Sequence, residues 1–428
     1  MKTGKMLTTG VAAVCMAFLA SFLASDASGA SSYVVIDLTP PLYGYWECYA
    51  TGISDTQQVG NTEAGPLLWS GTAANYVKLD SSLFGGLGAT GVCGNQQVGH
   101  GNSGDWPHAV LWTGTASSIV DLNPSGFIAS EALGTNGTQQ VGYGYTPQGV
   151  WQNIRHALLW NGTAASCVDL TPPGFMGSAA YGICGTQQAG EGITPQELHH
   201  AMLWTGTAGS YVDLNPSGIG NSRAEGTNGT QQVGSGEGPA TGNHRHALLW
   251  NGTAVRCIDL NPQGCVDSGA CGTNGTQQVG NADPTVGGNF AVVWSGTAES
   301  YINLSQFLPS GFVESGANGI NASGDIVGYA KDSSSHYHAI LWEPVPDPAG
   351  LPGDANGDGT VSFADYQTLE GNFGTGTTWA QGDFNGDHAV TFADYQILEA
   401  NFGKSSVPEP ATLSLLILGG LALARRRR

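Results

Sequence analysis

Charged side chains are scarce in this 428-residue chain, 11% of it, where roughly a quarter is usual in a globular protein. Long salt-bridged helices are excluded over most of its length. Cations are scarcer still, 13 Lys and Arg against 33 Asp and Glu, for a formal charge of −20. Six of the thirteen are Lys2, Lys5 and Arg425 to Arg428. Without those six, and without Asp26 and Glu409, the rest carries 31 acids and 7 bases. A surface so short of cations disfavours binding to nucleic acid or to an anionic lipid face. No Cys-x-x-Cys spacing occurs among the eight cysteines, which excludes the usual zinc sites. Gly-x-Ser-x-Gly, His-Glu-x-x-His, Walker and dinucleotide patterns are all missing. An acidic pair for glycoside hydrolysis stays open, since such carboxylates need not be close in sequence.

Glycine is abundant, 66 residues, about twice the usual share. The two chain ends look removable. Lys2 and Lys5 precede an apolar run from Val11 to Leu23, followed by small residues that suit cleavage after Ala27 or Ala30; residues 1–30 read as a secretory signal peptide. At the other end, within residues 404–428, Pro408-Glu409-Pro410 precedes a mostly apolar Ala411 to Ala424 and then four arginines. Fourteen helical residues reach only ~21 Å of a ~30 Å hydrocarbon core, so a stop-transfer anchor is the alternative. This order of parts resembles the PEP-CTERM sorting signal of exported bacterial proteins. The resemblance implies an exosortase-type processing enzyme as partner, and a cell-surface or extracellular-matrix location after transient anchoring.

One pattern recurs from Tyr33 to about Glu343. A strand ending in Trp closes at Trp69, Trp112, Trp160, Trp204, Trp250, Trp294 and Trp342. Gln-Gln-Val-Gly or a relative begins at Gln57, Gln96, Gln139, Gln187, Gln231 and Gln277, with Asp325 opening a seventh. A segment ending in Asp-Leu or similar falls at Asp37, Leu79, Asp121, Asp169, Asp213, Asp259 and Asn303. Within a unit such as His156 to Tyr181, Asn161-Gly162-Thr163 is a hairpin turn, with Ser166 to Leu170 returning as a strand. Four short strands per ~45 residues is the size of a propeller blade. The region opens on an isolated Asp-Leu strand, Tyr33 to Leu38, and ends one strand short, as a closed ring requires. Residues 31–343 are therefore expected to form an all-β, seven-bladed β-propeller, with an open β-solenoid as the competitor.

Its His-Ala-aliphatic-Leu-Trp units resemble the HAF repeats of bacterial extracellular proteins. The Phe of that motif is replaced by Val110, Leu158, Met202, Leu248 or Ile340, and the His is absent where Gly65 and Phe290 stand. His108, His156, His200, His246 and His338 share one repeat position, which favours packing over a singular catalytic role. The doublets at His199-His200, His244 to His246 and His336 to His338 offer only weak metal chelation. The Trp series reads as core; Trp46, Trp106 and Trp151 lie off register and are candidates for stacking on a ligand. The Asn-Gly-Thr triplets at Asn136, Asn161, Asn228, Asn251 and Asn274 read as turns rather than glycosylation sites. Seven cysteines remain once Cys15 leaves. Inert core thiols and one or two disulfides are both open, Cys265 with Cys271 being the nearest pair.

A Pro-, Asp- and Gly-rich linker, 344–352, leads to a duplicated loop at a 29-residue spacing, within 353–403. Oxygen ligands at loop positions 1, 3, 5 and 12 are Asp354, Asn356, Asp358 and Asp365, then Asp383, Asn385, Asp387 and Asp394. The carbonyls of Thr360 and Ala389 take position 7, the set a hard cation such as calcium needs. Gly359 supplies the turn in the first loop; His388 stands there in the second, which is expected to be the weaker of two calcium sites. Each loop enters a helix carrying Phe363, Tyr366, Leu369 and Phe373, or Phe392, Tyr395, Leu398 and Phe402, on one face. The pair resembles dockerin type I modules, which implies a cohesin-like or other protein partner, although Phe363-Ala364 and Phe392-Ala393 replace the polar contact residues of that family.

Together these parts predict a non-enzymatic surface or matrix protein whose propeller binds a glycan or protein, with a calcium-dependent docking module and a sorting tail. A secreted carbohydrate-active enzyme using the propeller's central face is the alternative. It would need a singular cluster of carboxylates or His off the repeat register, and none is visible in the sequence.

Overall fold

The computed structural model describes residues 32–41, 47–148, 154–284, 288–345, 351–376, 379–385 and 389–405. The signal-peptide segment, residues 406–428 of the sorting segment, Trp46, Trp151, Asp387 and His388 lie outside the described residues. Strands form seven separate four-stranded antiparallel sheets, a seven-bladed β-propeller. Six blades are consecutive in sequence, the first from Cys48–Ile53, Gln58–Thr62, Gly65–Trp69 and Tyr76–Lys78. The seventh combines Phe312–Ile320, Ile326–Asp332 and Tyr337–Val345 with the N-terminal strand Ser32–Asp37. Ser32 pairs with Val345 and Asp37 with Ile340, so the ring is closed by its own first strand. That pairing carries the last strand two residues into the stretch read as linker.

Each repeat mark has a packing reason. The seven Trp residues are fully buried between blades. In every blade the first strand carries a bulge within Ala-x-Gly, from Ala50-Thr51-Gly52 to Ala317-Asn318-Gly319. On the second strand the Gly of Gln-Gln-Val-Gly lies opposite that Ala. At all seven positions, Gly60 to Gly328, a Cβ would run into a carbonyl oxygen of the bulged strand, so only glycine fits. The second Gln caps the distant turn, as when Gln140 Oε1 accepts from Gly162 N–H at 2.8 Å. The first Gln ties neighbouring blades: Gln96 Oε1 accepts from Gln140 Nε2 at 2.9 Å.

The Asn-Gly-Thr triplets are turns, in two settings. Asn136, Asn228 and Asn274 accept backbone N–H groups two and three residues on. Asn161 and Asn251 instead precede short 3-10 turns, Ala164–Ser166 and Ala254–Arg256. The returning strand is consequently shorter than expected, Val168–Asp169, because the 3-10 turn uses Ser166. The seven described cysteines are free, so no Cys265–Cys271 bond exists; both sit on one strand, Cys265–Thr273, which holds them apart. Burial pushes the thiols of Cys48, Cys167, Cys257 and Cys271 up to about 12, which makes them inert.

Two helices follow, α1 (Phe363–Asn372) and α2 (Phe392–Asn401). Leu369, Leu398, Val361, Val390, Phe384 and Ala355 form their shared core. Only part of each expected face is buried. Leu369 and Leu398 are inside, whereas Phe363, Phe373, Phe392 and Phe402 are 53–62% exposed. Phe363 and Phe392 occupy the first helical position and Phe373 and Phe402 follow the last, so at ten residues the helices are too short to turn all four positions inward.

Candidate functional site

The five repeat histidines each bond an Asp of the neighbouring strand, Nδ1 to Oδ2 at 2.7–2.9 Å: His108–Asp121, His156–Asp169, His200–Asp213, His246–Asp259 and His338–Asp37. The Asp also accepts a backbone N–H two residues on, as from Thr171. Where the His is missing the Asp is missing too, since Lys78 and Asn303 take its place. These are blade-internal clasps. The Asp169 hydrogen bond raises the His156 pKa against its partial burial.

The first strands line a central channel. At their turn end it opens into a funnel of about 710 Å³ with repeated small walls, among them Gly52, Thr135, Gly226 and Asn321. Beyond the glycine positions the side chains stop repeating. The residue after each Gln-Gln-Val-Gly glycine is Asn61, His100, Tyr143, Glu191, Ser235, Asn281 or Tyr329.

Glu191 is fully buried. Its Oε1 accepts from Arg155 Nη2 at 2.6 Å and Tyr181 Oη at 2.7 Å; its Oε2 bonds His199 Nδ1 at 3.0 Å and accepts from Arg223 Nε at 3.1 Å. Burial pushes this carboxyl up, but the His199 and Tyr181 hydrogen bonds and the Arg223 charge outweigh it and hold it at about 2. Arg223 also reaches Glu225 at 3.4 Å. Burial and the Glu191 charge push the Glu225 carboxyl above its ordinary value. The guanidiniums lie over Tyr143 and Tyr181, each 5.2 Å from the ring centre. A cleft of about 270 Å³ adjoins them, with Arg245, Asn221 and Ser235 in its wall, and Glu225 faces both this cleft and the funnel. At the same end, Tyr49, Tyr329 and Tyr337 of the first and seventh blades cluster with centroids 4.8–5.7 Å apart.

Here the structure corrects the expectation that no singular off-register cluster exists. Its members come from three blades, Glu191 lying 36 residues from Arg155 and 32 from Arg223, so the folded ring assembles what the sequence scatters. Part of the signal was present in repeat positions that fail to repeat, such as the one that holds Glu191.

In the helical segment Asp354, Asp365, Asp383 and Asp394 are buried. Asp354 accepts N–H groups of Gly357, Asp358 and Gly359 at 2.8–3.2 Å. Asp365 accepts from Asn356 and Ser362 N–H, and Asp394 from Phe384, Asn385 and Thr391 N–H. Asp358 is turned to Thr360 and Asn356, and the Thr360 hydrogen bond lowers its pKa. Among the described residues no three His, Cys, Asp or Glu side chains are grouped to hold a metal ion. In the first loop the oxygens of Asp354, Asn356, Asp358 and Asp365 accept local N–H and side-chain donors instead, and residues 353–403 supply no Lys or Arg to balance the buried acids.

Among the described residues no helix is long and apolar enough to cross a membrane. No curated protein is similar to the chain in sequence. A puromycin hydrolase shares the propeller fold at 10% identity and a TM-score of 0.51, over 73% of this chain and 54% of its own. The chain thus spans about half that hydrolase's length. The β-propeller domain of the trilobed protease from Pyrococcus furiosus matches at 8% identity and a TM-score of 0.47, over 70% of this chain and 96% of that domain. The likeness to the hydrolase shows the fold alone. Residues 406–428 match the PEP-CTERM protein-sorting motif, which marks the chain as an exported protein with a C-terminal exosortase signal.

Proposed function

We propose that this is a non-enzymatic surface or matrix protein that binds an extracellular glycan or protein through the singular end of its propeller channel. The observation that carries the reading is the state of Glu191. Four donors occupy both its oxygens, so its role is to hold arginines, not to attack or to take up protons. The helical segment is a dockerin-like docking module that binds calcium. Asp354, Asn356, Asp358, Asp365 and the Thr360 carbonyl would hold one ion, and Asp383, Asn385, Asp387, Asp394 and the Ala389 carbonyl a second. Calcium would supply the positive charge that four buried carboxylates otherwise lack. The HAF likeness of the repeats accords with an extracellular role.

One observation favours the enzyme reading. Glu191 is held low while Glu225 is pushed up, and a pair of carboxyls separated in this way is how one site keeps a base and an acid together. A glycan array on the chain, followed by mass spectrometry of every retained oligosaccharide, separates the two. Retention without a product supports binding; a product that disappears in Glu225→Gln supports the enzyme.

A further inference from the structure

We infer that the cleft between the fourth and fifth blades takes a carboxylate-bearing saccharide, one uronic acid residue at a time. The inference rests on the binding reading above and gives it a ligand class.

Between residues 47 and 345 the chain has six lysines and arginines; two of them, Arg223 and Arg245, line this cleft, and a third, Arg155, backs it through Glu191. In a protein of charge −20 that concentration is not a general surface property. Three carboxylates face them, Glu191, Glu225 and Glu237. Glu191 is taken up by Arg155 and Arg223 and Glu237 accepts from Asn221 Nδ2 at 3.1 Å, so Arg245 is the guanidinium of the cleft that makes no ion pair among the described residues. Arg155 and Arg223 are fixed by Glu191 and stacked on tyrosines. Arg223 is still 43% exposed, which leaves part of its guanidinium edge for a ligand. Arg245 is exposed in the cleft wall. A planar carboxylate takes such an edge bidentately.

The rest of the wall decides what carries the carboxylate. Asn221, Ser222, Ser235, His199 and Glu225 alternate donors and acceptors, and no apolar side chain lines the cleft. An acidic peptide would bring backbone groups that need a strand edge, and apolar neighbours that need a pocket. Vicinal hydroxyls beside a carboxylate need neither. The volume, about 270 Å³, is at the small end for ligand pockets and suits one ring. The Tyr49, Tyr329 and Tyr337 cluster at the same channel end offers aromatic faces for further sugars.

Calorimetry on the full chain would use a galacturonate trimer, the matching neutral galactose trimer and a short Glu-rich peptide. The trimer of uronates is expected to bind, and the other two not. Arg245→Gln, which loses no side-chain hydrogen bond or ion pair among the described residues, is expected to leave the melting temperature unchanged and to weaken the uronate trimer by about tenfold or more. Equal binding of the neutral trimer, unaffected by Arg245→Gln, would sink the uronate class and leave glycan binding standing. Peptide binding in place of the saccharide, or no uronate binding at millimolar concentration, would also overturn the inference. Shortened or unsaturated trimer after incubation would instead count against the non-enzymatic reading.

Discussion

His338 and Asp37 are 301 residues apart in the chain and 2.8 Å apart in the ring. Their contact is the same clasp that four other blades make locally, so the last blade is completed by a strand borrowed from the other end of the domain. Deleting residues 32–38 removes that strand, with Leu38 fully buried and Tyr33 nearly so. Denaturant unfolding should show at least about 3 kcal/mol of lost stability. Asp37→Ala alone should cost only about 1 kcal/mol, because the pair is partly exposed. A truncated chain that unfolds like the parent would contradict closure.

Gly190→Ala places a methyl group against the Ala179 carbonyl, and should cost about 3 kcal/mol or more, since backbone rather than a side chain must yield. Gly209→Ala is the control. Nothing lies within 4 Å of its added carbon, so stability should hold or rise by up to about 1 kcal/mol. Equal melting temperatures for the two variants would refute the close-approach argument.

Glu191→Gln should cost about 2–3 kcal/mol, below the ~3–5 of a wholly buried pair because both guanidiniums keep some contact with water. The sign of its pH dependence follows from a carboxyl held at about 2 against an ordinary 4.5. Its stabilisation is fully present above pH 4.5 and is lost as the pH falls toward 2. Melting curves of parent and variant should therefore converge on acidification through that window. A gap that stays constant from pH 7 to pH 2.5 would show that Glu191 does not carry the charge.

Calcium titrated into the chain by calorimetry should reveal two sites of unequal affinity. Asp354→Ala should abolish the tighter and Asp383→Ala the weaker. At the first loop's turn Gly359 has φ +83°, a conformation that costs a side chain about 1–2 kcal/mol. His388→Gly should accordingly tighten the second site about tenfold. Identical affinities in parent and variant would dismiss the asymmetry, and absence of heat would dismiss the sites.

The ring was legible because its marks are packing necessities. Trp, Gly and Gln recur wherever the same cavity, close approach or turn recurs, and periodicity exposes them without any coordinates. The arginine cleft was not legible for the opposite reason. Arg155, Glu191 and Arg223 each occur once, on different blades, and their meeting depends on the order of blades around the channel. The exposed phenylalanines were misplaced because a helical face was inferred from spacing alone; Leu369 and Leu398 fill the small core and leave no room for Phe363 or Phe402.

The bulge between Ala and Gly in each first strand holds one residue outside the ladder register: Thr51, Thr90, Leu133, Tyr181, Glu225, Cys271 and Asn318. Its neighbours are constrained to near identity, but this residue differs from blade to blade in size, polarity and charge. Three of the seven, Thr51, Thr90 and Asn318, reach across to a carbonyl of the next blade, and two, Tyr181 and Glu225, build the arginine cluster. The same kink in the backbone thus gives each blade one side chain to spend either on its neighbour or on the chemistry of the channel.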